Sequence, residues 1–292
     1  MADKIKLRAY AKLNLFLEII GKRDDGYHLL RSVMQSVSLF DTLEFSLSDG
    51  EGIEIITDAK GVPLDKKNLI WKAIDAFYVR AEDVKRKKVS IKLKKKIPTM
   101  AGMAGGSSDA AATLVALNEL YDKPFTTSQI CDIGARIGAD VPFCIRGGTI
   151  LCEGVGEKLS ALEPLKDCCF VVVKPDLSIS TPEAYKKFDN MVIDRQPDYP
   201  SFAEGLKNNN LNLMSGAIYN SLEYACALKE INDIKYKLVE NGAKNSMMTG
   251  SGSAVFGIFD NIKTAKNAVK IFGEYPFCDV LLPVNMGVEI VS

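Results

Sequence analysis

Pro98-Thr99-Met100-Ala101-Gly102-Met103-Ala104-Gly105-Gly106-Ser107-Ser108-Asp109-Ala110 is the stretch on which the reading of this chain turns. It separates an alternating segment, Val89–Leu93, from an alanine-rich run that continues to about Tyr121. The first has the period of a strand and the second the composition of a helix. Between them, three glycines let backbone N–H groups turn inward and approach an anion closely. A helix starting near Ser107 adds its positive dipole end, so the segment reads as a phosphate-binding loop. A merely flexible loop before a capped helix would not need three glycines and two serines packed at the helix start. The loop is not a Walker A sequence, since no Gly-Lys-Ser/Thr follows, and it does not spell G-x-G-x-x-G.

Upstream of the loop, Ile5, Leu7, Ala9, Ala11, Leu13, Leu15, Leu17 and Ile19 alternate, which predicts a long strand with one apolar face. Lys12 and Asn14 then project together from the other face. Further strands are predicted at Ser32–Leu39, Leu43–Leu47, Gly52–Ile56 and Val89–Leu93. A helix over Asn68–Ala81, capped by Asn68, is also predicted. Downstream, a helix near Ser128–Ile137 ends at Gly138-Ala139-Asp140, ahead of Pro142. A strand at Thr149–Cys152 leads into the polar stretch Gly154–Lys166, the candidate domain boundary. The remainder reads as a strand (Phe170–Val173), helices at Pro182–Asp189 and Ser201–Lys207, and a long helix at Leu222–Glu240. Strands across Ser246–Phe259, a helix at Thr264–Phe272 and a last strand complete the chain. Strands and helices are mixed in both halves. The expected architecture is α+β, with domains 1–160 and 161–292 and ligands in the cleft between them.

The bulk properties limit the partners. The chain has 292 residues, 47% hydrophobic and 25% charged, with 37 basic and 37 acidic side chains that cancel. A neutral protein has no general attraction for nucleic acid or an anionic membrane, so an anionic ligand needs a local site. No apolar run approaches the roughly 20 residues that span a bilayer. Met1-Ala2-Asp3-Lys4 leads directly into the first strand without a signal peptide's apolar stretch, which predicts a cytoplasmic protein. The cysteines at 131, 144, 152, 168, 169, 226 and 278 form no C-x-x-C pair and read as free thiols in apolar surroundings. Eight of the twelve residues from Lys85 to Lys96 are basic, and this run reads as a solvated face. It ends just before the glycine-rich loop, so Lys94, Lys95 or Lys96 can reach a nucleotide there. No matching basic surface or recognition motif suggests nucleic-acid binding.

The glycine-rich segment resembles the second motif of the GHMP kinases, roughly P-x-x-x-G-L-G/A-S/G-S-S. The resemblance extends along the chain. Ala11-Lys12-Leu13-Asn14-Leu15 and Gly21-Lys22-Arg23-Asp24-Asp25-Gly26-Tyr27-His28 are similar to the first motif of the diphosphocytidyl-methylerythritol kinases. Gly138–Phe143, Glu153–Glu157 and the third motif, Met248-Thr249-Gly250-Ser251-Gly252-Ser253-Ala254-Val255-Phe256, follow in the family's order. The resemblance implies an N-terminal mixed-sheet nucleotide domain, a C-terminal ferredoxin-like domain, and transfer of the ATP γ-phosphate to a small-molecule alcohol. That alcohol is the tertiary 2-hydroxyl of a cytidine-diphosphate-linked methylerythritol.

By the same resemblance, Asp140 is the general base and Lys12 its partner. An alcohol is a poor nucleophile, and a carboxylate that accepts its proton, steadied by an ammonium, suits the chemistry. From composition alone, Asp140 would be an ordinary turn aspartate and Lys12 a solvated strand residue. His28, the only histidine, hydrogen-bonds the cytosine edge in the family reading while Tyr27 stacks on its face, and Tyr185 supplies a second ring. Gly250, Ser251 and Gly252 bring backbone N–H groups to the substrate or phosphates, although a plain hairpin turn would read the same way. Asn68 falls in the adenine-site region. Mg2+ is required with ATP, and Ser108 is a candidate ligand. Ala101 and Ala104 replace glycines found in some members, which predicts ordinary backbone angles at both.

Two other readings remain open. Any GHMP kinase for mevalonate, homoserine or a sugar shares the glycine-rich loop; the Gly26-Tyr27-His28 block argues for the cytidine-linked substrate. A non-catalytic ATP-binding regulator on the same fold would be expected to lose the catalytic pair or the loop, and this sequence retains both.

Overall fold

The computed structural model describes residues 4–191, 196–226 and 228–292. Its frame is one long antiparallel pair, β1 (Lys4–Lys22) and β2 (His28–Ser48). The residues expected to alternate on β1 do so, yet from Ala9 to Leu17 both faces are buried. Register shifts between Tyr10 and Ala11 and between Asn14 and Phe16 divide the strand. Leu7 and Ala9 join one core, and Ala11, Leu13 and Leu15 join another. A bulge re-aims a strand in this way, letting one face serve two cores. Two separate strands were expected within β2. The strand runs unbroken because Phe40, Asp41 and Thr42 stay paired with Tyr10, Ala9 and Arg8.

Next come β3 (Ile53–Ile56), α1 (Leu69–Arg80), β4 (Lys88–Lys94), α2 (Gly105–Leu120) and α3 (Thr127–Ala135). They are followed by α4 (Val141–Arg146), β5 (Thr149–Gly154) and β6 (Lys158–Ala161). Helix α4 was not anticipated. Pro142, read as a stop, sits in its first turn, where a missing N–H does no harm. The polar stretch read as a boundary holds β6, a mostly exposed strand paired with β5.

The C-terminal part comprises β7 (Cys169–Lys174), α5 (Thr181–Phe188), α6 (Tyr199–Lys207), α7 (Leu211–Gly216) and β8 (Tyr219–Asn220). Then follow α8 (Ser221–Cys226), α9 (Lys229–Glu240), β9 (Asn245–Met248), β10 (Val255–Phe259), α10 (Ile262–Val269), β11 (Phe277–Leu281) and β12 (Val288–Ile290). The single helix expected over Leu222–Glu240 is two, α8 and α9, and residue 227 within that span lies outside the described residues. Met1, Ala2 and Asp3 also lie outside them.

The first sheet runs β12-β1-β2-β4-β3, with β5 and β6 branching from β2 and β8 lying parallel to β1. It is mixed, as expected. The second runs β11-β7-β10-β9, wholly antiparallel, with helices between β7 and β9 and between β10 and β11. Numbered within that half, the order is 4-1-3-2 with two split crossovers, the ferredoxin-like arrangement. The expected cut at 160/161 falls at the end of β6, but β8 and β12 return to β1. The two halves are therefore tied through the strand that carries Lys12.

Candidate active site

Between the two sheets lies a cleft of ≈1080 Å³. Its floor is the Pro98–Gly106 loop, whose geometry follows from three pairings. The Lys12 N–H donates to Met103 O (3.2 Å), Ser253 N to Met100 O (3.4 Å) and Ala254 N to Ala101 O (3.2 Å). The loop is thus held between β1 and the β9–β10 turn. Helix α2 begins at Gly105, two residues earlier than expected. No side chain caps it and its first turn carries no acidic residue. Its leading N–H groups therefore suit an anion. Ala104, expected at ordinary angles, has φ 59° and ψ 27°, the left-handed region that costs a β-carbon roughly 1–2 kcal/mol. The turn into α2 imposes that conformation.

Lys12 is almost fully buried. Its Nζ donates to Asn14 Oδ1 (2.5 Å) and Gly102 O (2.8 Å) and lies 3.6 Å from Asp140 Oδ2. Asn14 shares the strand face, as period two requires. Its Nδ2 donates to Ser32 Oγ at 2.9 Å, which fixes the amide so that its oxygen meets the lysine. Asp140 stands at the N-cap position of α4, but its side chain makes no capping bond and is one-third exposed on the cleft. A capping aspartate would be committed to the helix; this one is left to face Lys12.

At the other end of the cleft, the His28 ring stacks on Tyr185 (centroids 4.7 Å apart, planes at 25°) and meets Phe188 edge-on. His28 Nε2 lies 2.6 Å from Asp189 Oδ1, and Lys22 Nζ donates to Asp189 Oδ2 at 2.5 Å. These bonds hold the Asp189 carboxyl below its ordinary range. Burial, reinforced by the nearby Asp140 charge, pushes the Tyr185 hydroxyl up to about 12. Tyr27 is 64% exposed and lines the same cleft.

The third motif forms the opposite wall through Gly250, Ser251 and Gly252. The Asn14 N–H donates to Thr249 Oγ1 (2.9 Å), Asn220 Nδ2 holds the carbonyls of Met248 and Gly250, and Thr181 and Ser251 share a hydroxyl bond of 2.8 Å. Behind the loop, Lys95 donates to Asp41 and to Asp109 (2.8 Å). Asp41 also accepts from the N–H groups of Lys96 and Ile97, whereas Asp109 Oδ1 has no partner among the described residues. Burial pushes the Asp109 carboxyl up to about 8, against the Lys95 charge. Of the three lysines before the loop, Lys95 lines the cleft.

Two expected site residues are placed elsewhere. Asn68 caps α1: its Oδ1 accepts from Ile70 N and its Nδ2 donates to Pro63 O, so Leu69 and not Asn68 faces the cleft. The Ser108 hydroxyl points inward, donating to Tyr10 O at 2.8 Å with no solvent exposure, and is unsuited to bind a metal from the cleft. Among the described residues, no group of three or more His, Cys, Asp or Glu side chains could hold a metal ion. The cysteines are free thiols, buried or half-buried. Asp189 and Asp41 were not singled out from sequence, and Lys22 and Thr249 were read only as parts of motifs with no side-chain role; each bonds a partner distant in the chain, which no local pattern reveals.

This loop at a helix start, facing a lysine–carboxylate pair between a mixed sheet and a ferredoxin-like half, is the arrangement of a GHMP kinase. The GHMP kinases N terminal domain matches residues 68–148, and the GHMP kinases C terminal matches residues 195–275. The chain is 44% identical over 271 residues to the 4-diphosphocytidyl-2-C-methyl-D-erythritol kinase of Clostridium novyi, covering 91% of this chain and 94% of that one. It is 42% identical over 292 residues to that of Caldanaerobacter subterraneus subsp. tengcongensis, covering 98% and 99%. Among solved structures, a 4-(cytidine 5'-diphospho)-2C-methyl-D-erythritol kinase superimposes with a TM-score of 0.78 at 29% identity, covering 95% and 99% of the two chains. A homoserine kinase from Cytophaga hutchinsonii superimposes at 0.82 with 18% identity, over 100% and 98%, a likeness of fold alone. The chain belongs to the 4-diphosphocytidyl-2-C-methyl-D-erythritol kinase family.

Proposed function

We propose that this chain transfers the γ-phosphate of ATP to the 2-hydroxyl of 4-diphosphocytidyl-2-C-methyl-D-erythritol, a step of the methylerythritol phosphate route to isopentenyl diphosphate. The observation that carries this reading is the meeting of three elements in one cleft. These are the loop at the start of α2, the Lys12–Asp140 pair and the ring cluster of Tyr27, His28 and Tyr185. In the proposed reaction the phosphates lie on the Pro98–Ser107 loop. The substrate hydroxyl approaches Asp140, its oxygen bonds to the γ-phosphorus as the β–γ bridging bond breaks, ADP leaves, and the proton passes to the carboxylate. Because such transition states are loose, Asp140 contributes mainly by aiming the hydroxyl, and Lys12 by offsetting charge on the moving phosphoryl group. Mg2+ enters as part of the MgATP substrate, held by phosphate oxygens and water.

Tyr27, His28 and Tyr185 are assigned to the cytosine ring, and Asn14 and Gly250–Gly252 to the substrate side of the transfer site. Residues 1–160 form the nucleotide-binding domain and 161–292 the second domain. No helix among the described residues is long and apolar enough to cross a membrane, in keeping with a cytoplasmic enzyme acting on a small molecule. A coupled ADP-release assay with MgATP tests the reading, comparing 4-diphosphocytidyl-2-C-methyl-D-erythritol with mevalonate, homoserine and galactose. Turnover on the cytidine substrate alone is expected. Turnover on another of the four would leave a kinase but discard the ring assignment, and ATP binding without turnover would leave a regulator.

A further inference from the structure

Asp189 follows α5 directly and is bonded to two residues of the β1–β2 hairpin, one through each carboxylate oxygen. Oδ1 meets His28 Nε2 at 2.6 Å and Oδ2 meets Lys22 Nζ at 2.5 Å. Lys22 and His28 are cross-strand partners where the hairpin closes. The Asp189 N–H donates to Tyr185 O at 3.0 Å, which places Asp189 one helical turn beyond the ring that stacks on His28. The His28 side chain is only 10% exposed, with Tyr185 beneath it and Phe188 at its edge.

We propose that Asp189 is a positioning residue that fixes which ring nitrogen of His28 carries the proton, and so makes the cleft select a base with an exocyclic amino group over one with a carbonyl at the same position. The proposal rests on the reading of the cleft as a cytidine-nucleotide site and adds to it the source of discrimination between cytosine and uracil. An ionised carboxylate only accepts hydrogen bonds, so Nε2 must carry the hydrogen shared with Asp189. Lys22 keeps that carboxyl ionised: the bonds from Lys22 and then from His28 lower its affinity for a proton. In the neutral ring Nδ1 is then a lone-pair acceptor, and no hydrogen bond from a described residue reaches it. Rotating the ring by half a turn would put Cε1 where Nε2 stands and break the bond to Asp189. A base that meets Nδ1 edge-on lies in the imidazole plane, and so within about the same 25° of the Tyr185 ring. Its amino group donates to Nδ1. A carbonyl there would set lone pair against lone pair, and sites built for one hydrogen-bond polarity reject the other strongly.

The chain holds one histidine, so tag-free protein labelled with 15N-histidine gives a single pair of ring-nitrogen signals. The wild type is expected to show the Nε2–H tautomer in its neutral form, and Asp189→Ala a mixture with Nδ1–H. In parallel, kcat/KM is compared for the cytidine-diphosphate-linked substrate and its uridine analogue. The cytidine preference is expected to fall on the order of 10-fold or more in Asp189→Ala, mostly through KM. An Nδ1–H tautomer in the wild type, an unchanged tautomer in the variant, or an equal loss on both nucleotides would overturn the proposal. Equal loss is the signature of a merely structural role. Absence of turnover by the wild type on the cytidine substrate would overturn the functional reading instead, and the nitrogen signals would still decide the Asp189–His28 coupling.

Discussion

A methyl group added to Gly102 would lie 2.1 Å from the carbonyl oxygen of Thr249. The glycine-rich loop and the β9–β10 turn are in backbone contact at this point, and the same Gly102 carbonyl accepts from Lys12. The glycine-rich loop, the Lys12 ammonium and the third motif therefore meet at one residue, whose φ of +73° is itself left-handed.

Gly102→Ala must push the loop off the turn. ATP affinity is expected to fall at least about tenfold, with a loss of roughly 1–2 kcal/mol from backbone strain alone and more from the clash. Titration calorimetry with ATP and denaturant unfolding measure the two effects. Wild-type affinity in a folded variant would mean that the loop does not need this contact.

Asp140→Asn keeps the shape of the side chain and removes its capacity to take a proton. Turnover is expected to drop about 10²–10⁴-fold with the KM for both substrates changed little. Lys12→Met should lose a comparable amount and also destabilise the fold by about 1–3 kcal/mol, since it strands the buried Asn14 and Gly102 acceptors. Steady-state kinetics beside thermal melts separate these outcomes. Near-normal kcat in Asp140→Asn would remove this carboxylate from the chemistry.

Much of this arrangement is visible in the sequence where the signal is local. The alternation of β1 puts Lys12 and Asn14 on one face, and the glycines before α2 mark the loop. What escapes is non-local. Asp41 lies in the gap between the strands expected at Ser32–Leu39 and Leu43–Leu47; it is buried in a continuous β2 because Lys95 and the N–H groups of Lys96 and Ile97 converge on it from 54 to 56 residues away. Asn68 shows the opposite limit: cap and ligand-binding residue look alike until its two bonds are seen. The meeting of Lys12 with Asp140 came from family resemblance, since nothing in either segment's spacing brings them together. The short strands β6 and β8 lack enough residues to establish a period.

Ala104 makes a prediction opposite to the usual rule. Alanine to glycine inside a helix costs about 1 kcal/mol, and Ala110→Gly in α2 should do so. Ala104→Gly relieves a left-handed β-carbon, so its stability should stay level or rise by up to about 1 kcal/mol. Parallel denaturant curves for the two variants decide this. A loss at position 104 as large as at 110 would show that the left-handed turn costs nothing.

The buried carboxyl of Asp109 should give the protein a measurable dependence of stability on pH. Its affinity for a proton is raised to about 8, chiefly by burial, with the Asp41 charge adding and Lys95 opposing. In the unfolded chain it would titrate as an ordinary aspartate, near 4. Below about 4 both states hold the proton and this group's contribution is complete. Between about 4 and 8 the folded state binds the proton and the unfolded state does not, so stability falls as pH rises. Above about 8 both are ionised and the loss is complete, leaving two carboxylates around Lys95 with Asp109 Oδ1 unpartnered. Asp109→Asn removes the titration while keeping an oxygen for Lys95. Its stability relative to the wild type should therefore climb from pH 5 to pH 8 and then level off, as read from denaturant midpoints across that range. A constant difference between the two proteins over the whole range would place the carboxylate, already ionised, beside Lys95 at neutral pH.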